Sequence, residues 1–131
     1  MTTELPRDAL NSKIECVDNS IWMDNKILDS AERDGMRRFT DAYTNLLVSR
    51  IGFNEAYLSL LNTFVQDQPL SCQHVGDYKR AVGNYLDSST LAKTEVRDAN
   101  NFLIEYLENI GRLKQKCVCK HVKILKSLVC E

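Results

Sequence analysis

The residues best equipped for chemistry lie near the end of the chain, where Cys117, Cys119, His121 and Cys130 bring three thiols and an imidazole close together. These are zinc-ligating types, but a zinc knuckle usually places roughly two to four residues between its cysteines, and here only one intervenes. In a helix Cys117 and Cys119 face opposite sides, whereas Cys117 and His121 share a face. A small core thiol and a boundary histidine account for that pair. The four residues are therefore a weak metal set, and neither a metal nor any other cofactor is expected.

Catalytic constellations are equally sparse. The chain has two histidines, His74 and His121, and lacks a Gly-rich phosphate loop, a His-Glu-x-x-His pair and a nucleophile elbow. Glu105 and Glu108 read as a solvated helix face. No catalytic residue is assigned, and the chain is expected not to be an enzyme.

Charge offers a more definite feature. Arg112, Lys114, Lys116, Lys120, Lys123 and Lys126 follow one another without an acid among them. On a helical wheel most of these cations oppose Leu113, Cys117, Ile124, Leu125 and Leu128, which makes the segment a basic amphipathic helix. Such a helix suits a partner protein, with Ile124, Leu125, Leu128 and Val129 as anchors and Lys116, Lys120 and Lys123 steering approach. A membrane surface is the lesser alternative. Nucleic acid is not expected, since the formal net charge is −1 and no recognised binding motif accompanies the stripe. The acidic first half of the chain provides an internal complement for these cations.

Arg50 interrupts the densest apolar row in the sequence. A guanidinium there must reach an acid on a neighbouring helix, snorkel to solvent, or line a groove and grip a docked partner. If Arg50 is merely tolerated, its replacement by Leu should hold or raise stability.

Cys16, Cys72, Cys117, Cys119 and Cys130 make an odd, unevenly spaced set, and disulfide frameworks usually show an even count in a shorter chain. All five are expected to be reduced thiols. The N-terminal residues lack the apolar core of a secretory signal, and the longest run free of charge, Ala56 to Gln66, falls well short of the ~20 residues needed to cross a bilayer. The expected location is cytoplasmic, or extracellular if a leader has been removed.

The elements that must position these groups are helices. Met36, Phe39, Tyr43, Leu46, Phe53, Tyr57, Leu60 and Phe64 recur at three and four residues with Arg50 in the remaining slot. A second row, Leu47, Ile51, Leu58, Leu61 and Val65, widens the apolar arc, so this helix is touched by at least two others. The spacing predicts helices over about 7–34, 36–66, 73–87 and 90–129. The second is central, and the last is long, with a break expected near 111–119. The Asp34-Gly35 pair is read as a reversal. Gly52 suggests close approach of a neighbouring backbone or a mild bend. Asp24 is a polar slot in the first helix's row, and Trp22 falls off that row.

The expected architecture is all-α, a single-domain up-and-down bundle of about four helices over residues 1–131, with residues 1–6 a flexible N-terminus. The expected function is a non-enzymatic interaction module that binds a partner helix. Its site is a groove beside the 36–66 helix, with Arg50, or the C-terminal basic helix; self-association is a further use of the same faces. The alternatives are a secreted four-helix, cytokine-like ligand with disulfides and a membrane-surface binder.

Overall fold

The computed structural model describes residues 4–33 and 41–110, which form four α-helices: α1 Glu4–Arg33, α2 Asp41–Val65, α3 Cys72–Ser88 and α4 Ala92–Asn109. Helix α1 begins at Glu4, three residues ahead of the expected start, so the supposedly flexible N-terminus is partly helical. Pro6 falls in its first turn, where a proline removes no intrahelical hydrogen bond. Met36 and Phe39, together with the proposed reversal at Asp34-Gly35, lie outside the described residues. The Arg50–Asp24 ion pair nonetheless shows α1 and α2 packed antiparallel: the two residues, which join the helices, each stand nine residues from the helix end nearest the connection.

The apolar rows explain the packing. Leu10 and Val17 of α1 are buried, with Ile14 and Ile21 packed beside them. In α2, Leu47, Phe53, Tyr57, Leu60, Leu61 and Phe64 are buried, so both rows face neighbours and the helix sits between α1 and α3. Helix α3 places Val75, Tyr78, Val82 and Tyr85 in the core, each 3 % exposed or less. Its four buried residues lie on one stripe, as the 3-4-3 spacing requires.

Local sequence sets the ends. Asp67 takes a left-handed φ of 54° just past α2, and Gln68 N–H donates to the Thr63 carbonyl at 3.1 Å, closing the helix. Aspartate is one of the few non-glycine residues that adopts this conformation at modest cost. Ser71 then caps α3: its Oγ accepts from the N–H groups of Gln73 at 3.1 Å and His74 at 3.3 Å. Leu70 and Val75 occupy the flanking positions of a hydrophobic staple and both are buried. The Asp87–Thr90 run supplies Ser89, whose Oγ accepts from Leu91 N–H at 3.1 Å ahead of α4.

Helix α4 buries Ala92, Val96, Ala99 and Leu103 as the spacing predicts, then Leu107, while Tyr106 is half-buried and stacks on Phe64 with ring centroids 4.6 Å apart. The helix closes at Asn109, and Ile110 has left helical geometry at φ −93° and ψ 4°. The expected continuation to residue 129 lies outside the described residues.

The aromatic centre joins three helices. Phe53 lies 5.3 Å from Tyr85, 5.8 Å from Tyr78 and 6.0 Å from Tyr57, centroid to centroid. Tyr78 donates to Asn100 Oδ1 at 2.6 Å and Tyr85 to Glu95 Oε2 at 2.8 Å, which fixes α3 against α4. No helix among the described residues is long and apolar enough to cross a membrane.

Of the two readings of Gly52, close backbone approach is not met among the described residues. A methyl group added there meets nothing within 4 Å. Among the described residues no neighbouring backbone approaches it, and it lines an open groove of about 690 Å³ with Val48, Ala81 and Asn84, between α2 and α3.

Candidate functional site

A second groove, about 410 Å³, runs between α1 and α4 over a floor made by α2. Val17, Met23, Asp24 and Ile27 form one wall, Glu95, Asp98 and Ala99 the other, and Arg50, Phe53, Asn54 and Tyr57 the floor.

The two polar interruptions in the apolar rows meet here. Arg50 Nε donates to Asp24 Oδ2 at 2.7 Å and Nη2 to Oδ1 at 2.9 Å, a two-pronged pair; the other Nη lies 3.9 Å from Glu95 Oε1. Asp24 is 4 % exposed, so its charge is almost wholly taken from water, and the fork geometry of the guanidinium is what makes that tolerable. The hydrogen bond with Asp24, which outweighs the opposing effect of burial, raises the Arg50 pKa above its ordinary value. Of the roles open to Arg50, the structure shows the acid on a neighbouring helix. The pairing was signalled in the sequence by a polar slot in each of two adjacent helical rows.

Three buried tyrosines behave differently. Tyr78 and Tyr85 have the partners described above. The Tyr57 hydroxyl, in a side chain 3 % exposed, has no hydrogen-bond partner among the described residues. Leaving such a group unmet costs about 1–3 kcal/mol. Burial, and secondarily the negative charge of Asp98, push the Tyr57 pKa up. Asn54 is 7 % exposed and lies on the same floor. Neither polar floor residue stood out in the sequence, since Tyr57 reads as core and Asn54 as a surface position; the width of the α1–α4 gap makes the difference, and helical spacing does not encode it.

Cysteine chemistry also departs from expectation. Cys72, at the first turn of α3, is disulfide-bonded, which corrects the assignment of all five cysteines as reduced thiols. Cys16 is a free, exposed thiol on α1, on the wall of the groove. The odd count disfavoured pairing only under the assumption that every cysteine must pair. At the edge of the groove, Trp22 and Met23 are 60 % and 57 % exposed on consecutive positions of α1, and Lys26 Nζ stands 4.9 Å from the Trp22 ring centroid.

The proposed C-terminal contacts, Ile124, Leu125, Leu128, Val129, Lys116, Lys120 and Lys123, lie outside the described residues, as do Cys117, Cys119, His121 and Cys130. Among the described residues no group of three His, Cys, Asp or Glu side chains could hold a metal ion.

The described fold is a small four-helix bundle with a polar-floored groove. No family model, curated protein or solved structure matches the chain.

Proposed function

We propose that this chain is a non-enzymatic helical ligand that carries at least one disulfide, works in an oxidising compartment and acts by binding another protein. The observation that carries this reading is the disulfide at Cys72. Disulfides persist outside the reducing cytosol, and a single staple on a bundle of this size adds about 2–4 kcal/mol. The intracellular adaptor, which the sequence favours through its odd cysteine count, loses that support.

Two features favour protein binding. Trp22 and Met23 expose large side chains side by side on the outer face of α1, and tryptophan is among the residues that dominate binding interfaces. The α1–α4 groove begins beside them, with Met23 on its wall.

Thiol titration of the unreduced protein under denaturing conditions tests the compartment. One or three free thiols, with Cys16 always among them, support the reading. Five free thiols would overturn it and restore the intracellular module.

A further inference from the structure

We propose that Cys72 is bonded to Cys117, and that this bond holds the C-terminal segment 111–131 against the outer side of α3 and α4 with its apolar face turned inward. This deepens the protein-binding reading, rests on its disulfide, and decides which surface is left for the partner.

Elimination narrows the bond first. Cys72 is disulfide-bonded and Cys16 is a free thiol, so the other half is Cys117, Cys119 or Cys130. All three belong to the segment that follows α4.

The fold brings that segment to the right place. Tyr106, in the last turn of α4, stacks on Phe64 in the last turn of α2, and the connection after Phe64 leads straight to Cys72 at the first turn of α3. The end of α4 and the start of α3 thus share one end of the bundle. Seven residues separate Ile110 from Cys117, a span of about 10 Å as helix and up to ~24 Å extended.

Amphipathicity then chooses among the three. At helical spacing Cys117 stands in the middle of the apolar face, with Leu113, Ile124 and Leu128, whereas Cys119 and Cys130 fall on the opposite side with Lys123 and Lys126. A segment that turns its apolar face to the bundle offers Cys117 to Cys72 and keeps the other two thiols outside. Those two stand eleven residues apart, about 16 Å along a helix, far beyond the ~7 Å that a disulfide spans between Cα atoms.

A residue of α4 marks where the face is seated. Ile104 is 8 % exposed, yet it stands outside the core cluster that unites Ala92, Val96, Ala99, Leu103 and Leu107 of the same helix. The chain that leaves α4 six residues later, and returns to reach Cys72, supplies its cover. Seated this way, Ile124, Leu125 and Leu128 are spent within the molecule, and the exposed Trp22 and Met23 of α1 are left to meet the partner.

The test is alkylation of the whole unreduced chain in denaturant, read by intact mass and peptide mapping, in the natural sequence and in single Cys117→Ser, Cys119→Ser and Cys130→Ser variants. The natural sequence should take three labels, on Cys16, Cys119 and Cys130. Cys117→Ser should open Cys72 to the reagent, and the other two variants should leave it protected. Protection of Cys72 that survives Cys117→Ser, or a bond from Cys72 to a second chain, would overturn the pairing. For the seating, Ile124→Asp should lower the thermal midpoint by about 5 °C or more, and Lys123→Ala should leave it in place. An unchanged midpoint in Ile124→Asp would overturn the inward face. A free Cys72 in the natural sequence sinks the compartment reading and this proposal together, whereas a protected Cys72 with another partner sinks this proposal alone.

Discussion

Arg50 and Asp24 show how one residue's meaning depends on its neighbour. Viewed alone, Arg50 in an apolar row invites replacement by leucine at no cost. Opposite an aspartate that is 4 % exposed, the same change strands a buried carboxylate. Arg50→Leu should therefore destabilise by about 2–3 kcal/mol, below the full range for a buried pair because Arg50 is itself partly exposed. Replacing both residues by leucine should recover most of that loss. Urea unfolding of the two single variants and the double variant checks the cycle, and a double-variant loss equal to the sum of the two single losses would show that the side chains contribute independently.

The buried tyrosines predict how the protein responds to alkali. Burial is the leading cause that raises the Tyr57, Tyr78 and Tyr85 hydroxyl pKa values above the ordinary tyrosine value. The folded chain therefore keeps these protons at a pH where the unfolded chain releases them. Stability from this source is complete below pH ~10 and falls as pH rises above it, by up to ~1.4 kcal/mol per pH unit for each tyrosine. Absorbance titration should show Tyr57, Tyr78 and Tyr85 ionising only as the fold is lost. Ionisation of these three tyrosines in the folded protein at the ordinary tyrosine value would contradict the burial.

At the scale of the helices, Gly52, Gly76 and Gly83 stand in helix interiors with open space where a side chain would go. Nothing among the described residues around them requires glycine. Gly52→Ala and Gly83→Ala should each raise stability by about 0.5–1 kcal/mol, measured as a shift in the thermal midpoint. A loss at Gly52 would restore the close backbone contact that its place in the sequence suggested.

Helix positions were largely legible in the sequence, because three- and four-residue spacing of large apolar side chains is a direct image of one buried face. Val75, Tyr78, Val82 and Tyr85 sit in the core without exception. In α4 the spacing follows Leu103 to Tyr106, yet the buried stripe moves to Leu107, since the stacked Tyr106–Phe64 pair fits at the edge of the bundle and leucine fits within it. The groove was less legible. Met23, Asn54 and Asp98 are far apart in sequence, and only the separation of α1 from α4 places them on one cleft. Arg50 could be picked out as a candidate because a charge in an apolar row violates local pattern, whereas an unmet tyrosine hydroxyl violates nothing visible along the chain.

For the whole molecule, the disulfide at Cys72 is what moves the account from an intracellular module toward a ligand of an oxidising compartment. Cys16 and Cys72 are both exposed, so burial cannot make them differ toward an alkylating reagent. Peptide mapping of the unreduced protein after alkylation therefore reads the bond directly. Cys16 is expected to be labelled and Cys72 not, until a reductant is added. Equal labelling of Cys16 and Cys72 before reduction would contradict it.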